Sequence, residues 1–401
     1  MTARAARVWN RDTLRSSDFF QPHRAAFWLY LLLLAPLGVL AIRTVASSAA
    51  RAGPIPSLVA FVLIVLWLWL VVWFIRRLDL FKRSPASLQL AAFVWGALIA
   101  AGLAGHPNNY LQNLIMRANP DMLQTWGAAL VGPTTEEVLK ALGVVMVVLI
   151  AGHKFHRLMD GVIYGALAGL GFQFTEDIVY MFKDVSSLDV GATLGSVLFV
   201  FVIRAIIFGA FAHTTYTALV GFGIAYYVVK RDKPRSKRVL VLVSLFIAAW
   251  LFHFLHNGPA GTWPLLIGVP VLAIFSYPTQ VLNGAVALGL AAWLWGRARG
   301  DENRWFRAVH AGDIGTELIT APEVDSLSTL RRRRRARRAA RKAGGRDASR
   351  LVAELQRAQI DYGLAKDRAS AGSPELNAPR QRIRDVRTSL AGLPGLSVAG
   401  A

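Results

Sequence analysis

Hydrophobic residues in this chain are grouped into long runs, and shorter polar stretches separate them. A transmembrane helix needs about 20 consecutive, mostly apolar residues. The chain contains about eight such runs, near 26–44, 57–76, 86–104, 127–151, 161–182, 195–229, 238–257 and 264–295. The pattern therefore predicts an all-α fold: a polytopic membrane helical bundle of about eight transmembrane helices, followed by a cytoplasmic, partly helical basic tail.

Three segments depart from a simple span. The run 195–229 would form a straight helix of about 50 Å against a hydrocarbon core of about 30 Å. We therefore expect it to tilt, project or break, with Gly209 as the candidate break. The run 264–295 contains Pro278 and is expected to be kinked or split. Residues 106–126 are mixed in polarity, which predicts a short helix or loop at the membrane surface.

Positive charges between the runs indicate how the helices cross the membrane. Basic clusters lie near Arg76, Arg157, Lys230 and Arg297, after alternate runs, whereas the loops between them contain few Lys or Arg. Because Lys and Arg favour cytoplasmic loops, we expect a multi-pass protein of the cell membrane with both termini in the cytoplasm. The chain has 401 residues, a net charge of +21 and no Cys, which excludes disulfides, thiol nucleophiles and thiolate metal ligands.

The same patterns divide the chain into five parts. They are a cytoplasmic N-terminal segment (1–25), N-terminal transmembrane helices (26–104), a core of helices with polar side chains (127–257), a last transmembrane segment (258–299) and a cytoplasmic, basic, partly disordered tail (300–401). In the tail, Arg331–Arg346 contains no acid. Such a stretch favours anionic lipid of the bilayer, at roughly 1 kcal/mol per basic residue near the surface. Nucleic-acid binding and a solvated helix are the alternatives, and no nucleic-acid partner is expected.

The stretch Gly132 to Lys140 carries charges into an apolar run. A proline in the first turn predicts a helix that begins near Pro133, with Glu136 and Glu137 close to its start. Glu136 and Lys140 are about one turn apart, a spacing that predicts an i,i+4 pair. Uncompensated charges in hydrocarbon cost at least a few kcal/mol each, so they indicate a functional site. The alternative is that the two carboxylates only complement the helix dipole.

Later runs add further polar residues. Glu176, His213 and His253 lie in three separate runs, and the expected orientation brings them toward the level of Glu136. A glutamate can take a proton from water and return it to a leaving amine. Imidazoles can orient that water, bind an oxyanion or ligate a metal. The cluster therefore predicts peptide hydrolysis, with an open zinc site as an option. Asn257 follows His253 by one turn, so both could face one substrate carbonyl.

Four motifs occur in a fixed order along these runs. They are Glu136-Glu137-Val138-Leu139-Lys140; Phe172 with Glu176, after the segment Asp160 to Gly165; His213, preceded by Arg204; and His253 with Asn257. On these motifs the chain resembles the PrsW family of intramembrane proteases, within the wider superfamily of CAAX prenyl proteases and bacteriocin-processing enzymes. The resemblance covers about 127–257. Asp177, where many relatives have Asn, is a departure beside the motif glutamate.

The resemblance implies a peptidase that is glutamate- or metal-dependent. Its substrate would be a membrane-anchored protein, such as an anti-sigma factor, cleaved near the outer membrane face by a glutamate-activated water. Glu136 would be the residue that activates this water. The implied catalytic residues are Glu136, Glu137, Glu176, His213, His253 and Asn257. The candidate ligands of a metal such as zinc are Glu176, His213 and His253.

Other readings stay open at this point. The Glu and His residues could form a proton relay in an ion- or proton-coupled transporter, although no inverted repeat typical of carriers is evident. A non-catalytic scaffold that uses the basic tail is a third possibility. Taken singly, His213 could be a satisfied core residue, and Glu176 with Asp177 an interfacial pair. Arg204 is expected to pair with a buried acid, and Asp160 to cap a helix.

Overall fold

The computed structural model describes residues 18–79, 81, 84–187, 194–209, 212–258, 276–368 and 373–393. These residues are largely helical, and within them the only β-type pairing is an isolated bridge between Ile314 and Ile319. The chain forms two compact units. The first comprises 1–78 and 84–296, and the second comprises 79–83 and 297–401.

The first unit is built from long helices. They are α1 (Ala25–Ala52), α2 (Pro54–Leu78), α3 (Ala86–Val94), α4 (Ala101–Ala118), α5 (Pro120–Ala151), α6 (Leu158–Ser187), α7 (Leu194–Phe201), α8 (Ala212–Val229), α9 (Arg235–Asn257) and the N-terminal part of α10 (Ser276–Val309). A π-helical stretch, Trp95–Ala100, joins α3 to α4, and a second one, Val202–Phe208, continues α7.

Six helices in the described residues are long and apolar enough to cross a membrane. They are Ala25–Ala52, Pro54–Leu78, Ala86–Ala118, Val197–Val229, Arg235–Asn257 and Gln280–Val309. The all-helical fold with several membrane-spanning helices is therefore confirmed, whereas a count of eight stays a prediction. Helices α5 and α6, with 32 and 30 residues, are also long enough to cross a membrane. They are less apolar because they carry charged side chains such as Glu136 and Glu176. Residues 264–275 of the predicted run 264–295 lie outside the described residues, and the rest of the run belongs to α10.

The predicted helix start at Pro133 is wrong. Helix α5 begins at Pro120, where the Asn119 side chain accepts a hydrogen bond from the Met122 backbone N–H at 3.0 Å. An Asn cap followed by Pro at the first helical position is a complete start signal. Pro133 lies inside this helix, so the nearby carboxylates are not at a helix start and the helix-dipole explanation for them fails.

The predicted break near Gly209 is confirmed. The π-helical stretch ends at Phe208 and α8 begins at Ala212. A Cβ atom on Gly209 would lie 2.0 Å from the Arg204 carbonyl oxygen, so the end of the π-helical stretch leaves no room for a side chain at this position. The regular helix of this run is therefore interrupted near Gly209.

Helices α6 and α8 pack closely through glycines of α6. A Cβ atom on Gly165 would lie 2.3 Å from the Thr217 carbonyl oxygen, and one on Gly169 would lie 2.0 Å from that of His213. Glycine in these positions permits the close helix–helix approach, because it has no side chain to keep the backbones apart. Because the Gly169 contact is with the backbone of His213, this packing also fixes the position of a candidate site residue.

The second unit is a smaller helical domain. Besides the part of α10 from Arg297, it contains α11 (Ala321–Leu327), α12 (Leu330–Arg368) and α13 (Asn377–Ala391). Leu355, Tyr362, Ile383 and Leu390 form part of its hydrophobic core. Helix α12 includes the arginine-rich stretch Arg331–Arg346, which is therefore helical apart from a kink at Gly344 and Gly345.

Candidate active site

Helix α5 supplies three buried charged side chains. Glu136, Glu137 and Lys140 are 6%, 0% and 0% exposed. Lys140 Nζ lies 2.6 Å from Glu137 Oε1, so the predicted pairing of Lys140 with Glu136 is wrong. The physical reason is that the Glu136 carboxylate turns toward Asn108 and His253 instead, leaving Glu137 beside the ammonium group.

His213, at the start of α8, bridges two of the charged groups. Its Nδ1 lies 2.8 Å from Lys140 Nζ, and its Nε2 lies 2.8 Å from Glu176 Oε2. Because an ammonium group can only donate hydrogen bonds, Nδ1 accepts and Nε2 carries the hydrogen that is donated to Glu176. Lys140 therefore selects the tautomer of His213.

His253, on α9, is held in the opposite tautomer. Its Nδ1 lies 2.8 Å from Glu137 Oε1, and the Asn257 Nδ2 atom lies 3.1 Å from its Nε2. Since a carboxylate accepts, Nδ1 donates, and Nε2 accepts from the Asn257 amide. The same Nε2 is 3.8 Å from Glu136 Oε2. The centroids of the His213 and His253 rings are 4.8 Å apart, and the two rings are nearly perpendicular.

All six predicted site residues thus lie in one connected group, contributed by α5, α6, α8 and α9. Glu176 is at its edge: its side chain is 22% exposed and also lies 3.3 Å from Arg204. Arg204 bonds Asp177 at 3.3 Å as well, which confirms the expected pairing with a buried acid. Asp160 accepts two backbone N–H groups that precede α6, as a cap does. Asn257 donates to the His253 ring, and its contact with a substrate carbonyl stays a prediction.

One participant was missed by the motifs. Asn108, on α4, donates a hydrogen bond from Nδ2 to Glu136 Oε1 at 3.3 Å. Its Oδ1 accepts a short hydrogen bond from the Thr135 hydroxyl. The two partners are 28 and 27 residues away in sequence, so spacing along a helix could not reveal the contact. The one available signal was the mixed polarity of the segment 106–126.

Three of these residues could hold a metal ion. Glu136, His213 and His253 each offer one ligand atom, and the three atoms lie within 4.8 Å of one another. The predicted set had Glu176 in place of Glu136. A buried Glu136 oxygen, Oε2, accepts no hydrogen bond from the described residues. The imidazole lone pairs, in contrast, accept hydrogen bonds from Lys140 and Asn257.

The chain is similar to known proteins over the region that contains this group. A model of the PrsW family intramembrane metalloprotease matches residues 84–282. Protease PrsW of Clostridioides difficile (strain 630) is 26% identical over 190 residues, which cover 46% of this chain and 73% of that protein. No solved structure matches the chain. The matched region includes every residue of the connected group, and the chain belongs to the PrsW family of intramembrane proteases and is a peptidase.

Proposed function

We propose that Glu136 activates a water molecule that hydrolyses a peptide bond of a membrane-anchored protein. The observation that carries this proposal is the state of Glu136 Oε2. This oxygen is buried, accepts no hydrogen bond from the described residues and lies 3.8 Å from His253 Nε2. A carboxylate oxygen with an unused lone pair is suited to take a proton from water.

The reaction conserves protons and electron pairs within the site. Glu136 takes a proton from water while the water oxygen forms a bond to the substrate carbonyl carbon, and the carbonyl π electrons move to its oxygen. The Asn257 amide, whose second N–H makes only a long contact of 3.4 Å with the Ala128 carbonyl oxygen, donates a hydrogen bond to that oxyanion. When the oxyanion collapses, the C–N bond breaks and Glu136 gives its proton to the leaving amine. Glu137, Lys140 and Glu176 hold the imidazoles in the required tautomers.

A metal-dependent site is the second candidate. It is favoured by the description of the family as metalloproteases and by the group Glu136, His213 and His253. One carboxylate and two imidazoles suit Zn²⁺, and the Glu137 bond to His253 is the kind that orients a metal-bound imidazole. To ligate a metal, His253 Nε2 must exchange the Asn257 amide, and His213 must release Lys140 or Glu176. A bound divalent cation would polarise the substrate carbonyl and acidify a water.

The substrate we propose is a single-span protein, such as an anti-sigma factor, that is cleaved near the outer face of the membrane. The substrate class is what the resemblance to the PrsW family implies. The outer face follows from the charge pattern, which favours eight spans with both termini in the cytoplasm of a cell-membrane protein. The comparisons give no support to the alternative of an ion- or proton-coupled transporter.

Cleavage of a single-span protein by the reconstituted full chain tests the proposal. Glu136→Gln keeps the shape of the side chain but removes the base, so it should lower kcat by about 10²–10⁴-fold. Glu375→Gln, at an exposed glutamate of the second unit, is the matched control and should cleave like the wild type. Wild-type rates from Glu136→Gln would refute the proposal.

A second arm of the experiment separates the two chemistries. If the site uses a metal, prolonged chelation should abolish cleavage by the wild type, and added Zn²⁺ should restore it. If Glu136 acts without a metal, chelator-treated protein should retain its full rate. Zn²⁺ content of the purified protein, compared between wild type and a His213→Ala/His253→Ala variant, provides a readout that does not depend on activity.

For the arginine-rich part of α12 we propose a contact with anionic lipid. Arg331, Arg335, Arg338 and Lys342 are exposed and recur at the spacing of one helix face, whereas Ala340 is buried. Each basic residue near an anionic surface contributes roughly 1 kcal/mol. This face is therefore suited to a negatively charged sheet of headgroups, and not to insertion among acyl chains.

Hydrogen exchange of this segment in nanodiscs tests the lipid contact. The amides of α12 should exchange more slowly in nanodiscs that contain phosphatidylglycerol than in phosphatidylcholine alone, and the difference should vanish in high salt. A triple variant, Arg331→Gln/Arg335→Gln/Arg338→Gln, should lose it. Protection by short duplex DNA, with none from anionic lipid, would contradict the proposal and favour nucleic acid.

A further inference from the structure

Asn108 joins the helix that precedes the motif region to the proposed base. It lies on α4 and is half-buried, while its neighbour Asn109 is exposed. The Asn108 amide nitrogen donates to Glu136 Oε1, and its amide oxygen accepts from the Thr135 hydroxyl. Thr135 directly precedes Glu136 in the chain, so one asparagine is attached to two consecutive residues of α5.

The orientation of the Asn108 amide follows from its two neighbours. An ionised carboxylate can only accept hydrogen bonds, so the amide NH₂ group faces Glu136. The opposite end of the amide then presents its oxygen to Thr135, whose hydroxyl can donate. The Thr135 oxygen also lies 3.2 Å from the carbonyl oxygen of Val131 and 3.2 Å from that of Gly132, which keeps the hydroxyl close to the backbone of α5. The chain of contacts therefore has one consistent direction, from Thr135 through Asn108 to Glu136.

This bond divides the two oxygens of Glu136 between different tasks. Oε1 is held by Asn108, whereas Oε2 accepts no hydrogen bond within the part of the chain that the structure describes and lies toward His253. A carboxylate that is bonded at one oxygen loses most of its freedom to rotate. The free oxygen is then presented at a fixed place, which is what a proton acceptor requires, because misplacement by about 1 Å can cost about 100-fold in rate.

We propose that Asn108 is a positioning residue for Glu136: it holds Oε1 so that Oε2 faces the water to be activated. This inference rests on the proposed function of Glu136. Asn108 does not itself touch the reacting atoms, and Thr135 acts one step further away, by orienting the Asn108 amide. The supporting contact makes α4 part of the catalytic machinery, although the four family motifs lie on later helices.

The isosteric variant Asn108→Asp separates positioning from simple attachment of α4 to α5. An ionised aspartate can still accept from Thr135, but it cannot donate to Glu136 and places a like charge beside it. The attachment of α4 to α5 through Thr135 would survive this change, whereas the hold on Glu136 would not. Asn108→Ala removes both bonds, and Asn109→Ala on the neighbouring exposed residue is the matched control.

Steady-state cleavage by the full chain and its thermal unfolding are measured together for these variants. We expect Asn108→Asp and Asn108→Ala to lower kcat by about 10- to 100-fold, with KM within about twofold because substrate binding is untouched. Asn109→Ala should match the wild type in both. Thr135→Val, which removes the orienting hydroxyl but not the bond to Glu136, should give a smaller loss of kcat.

Two outcomes would overturn the inference. One is wild-type kcat for Asn108→Asp, and the other is a loss of activity that is matched by an equal fall in the fraction of folded protein. The result for Glu136→Gln distinguishes the two levels of the argument. If Glu136→Gln is inactive while Asn108→Asp is fully active, only the positioning role fails. If Glu136→Gln is active, the proposed function fails first.

Discussion

The connected group around Glu136, called the membrane site from here on, and the arginine-rich part of α12 both concentrate charge. They arrange this charge in opposite ways. In the first unit, Glu137 and Lys140 are 0% exposed and bond each other. In the second unit, Arg331, Arg335 and Arg338 are exposed on a helix whose other face packs into a hydrophobic core. The charged side chains of the first region are therefore packed inside the helix bundle, whereas these three arginines of the second region lie on the surface, away from the core.

This difference predicts where function and stability are coupled. A buried ion pair that loses one member leaves an uncompensated charge, which strongly destabilises a protein. An exposed charge can be removed with little effect on folding. We therefore expect the loss of one member of the Glu137–Lys140 pair to affect activity and folding together, and changes on the exposed face of α12 to affect only binding.

The largest effect is expected for Lys140→Met. It leaves Glu137 buried without its ammonium partner, so the free energy of unfolding should fall by about 3–5 kcal/mol. It also removes the donor to His213 Nδ1, so cleavage should be lost. Chemical unfolding in micelles and the cleavage rate give the two readouts.

The control for this prediction is the double variant Glu137→Gln/Lys140→Met. Because it removes both charges, much of the stability should return while cleavage stays low. A double variant that is as unstable as Lys140→Met alone would contradict the ion-pair explanation and indicate that Lys140 stabilises the bundle through packing.

The sequence predicted the site better than it predicted the contacts within it. Glu136, His213 and His253 could be found because charged and imidazole side chains are rare in hydrocarbon and each one needs a reason. Spacing along the helix suggested the wrong partner for Lys140, since it gives the face of a residue and not the rotamer. The contact of Asn108 with Glu136 joins separate helices, and no local pattern encodes it.

In the fold, too, features set by the local sequence could be predicted better than features set by tertiary contacts. The interruption near Gly209 could be predicted, because a run too long for a simple span must tilt, project or break, and glycine is the weakest point of a helix. The helix start at Pro133 was wrong because two prolines compete for the role. Asn119 caps the helix that begins at Pro120. Pro133 has no such cap before it and lies in the interior of the same helix. In the second unit, the burial of Arg333 within an arginine run depends on tertiary packing.

The next largest effect is expected for Gly169→Ala. Its new Cβ atom would lie 2.0 Å from the His213 carbonyl oxygen, so α6 and α8 must separate. Overpacking of this kind costs about 1–3 kcal/mol, and the shift of His213 should lower kcat as well. Gly289→Ala on α10, where a Cβ atom meets none of the described residues within 4 Å, is the matched control. Equal behaviour of the two variants would show that the close approach is unimportant.

A smaller effect is expected from acidification of the second unit. His310 is buried against the rings of Phe306 and Tyr362. Burial lowers the pKa of His310 below its usual value of 6.5; Asp313 opposes this shift and Lys366 adds to it. Since the folded state binds this proton less well than the unfolded state, stability is complete above about pH 6.5 and falls as the pH drops below it.

Hydrogen exchange of α12 and α13 in the full chain measures this pH dependence. Protection should weaken between about pH 6.5 and 5.5 in the wild type, and His310→Phe should flatten the change. His310 is the only histidine after residue 297, so no other imidazole in this unit can contribute. An identical slope in the variant would assign the effect to carboxylates.

The smallest effect is expected for the exposed arginines of α12. Replacing Arg331, Arg335 and Arg338 by Gln should each change the free energy of unfolding by no more than about 0.5 kcal/mol, because Gln and Arg have similar helix propensities. Arg333→Gln is the matched contrast. Arg333 is buried and donates to the Leu327 carbonyl oxygen at 2.9 Å, so its loss should cost about 1–3 kcal/mol. If the exposed variants proved as unstable as Arg333→Gln, charge and packing would be coupled in this unit too, and its contrast with the membrane site would fail.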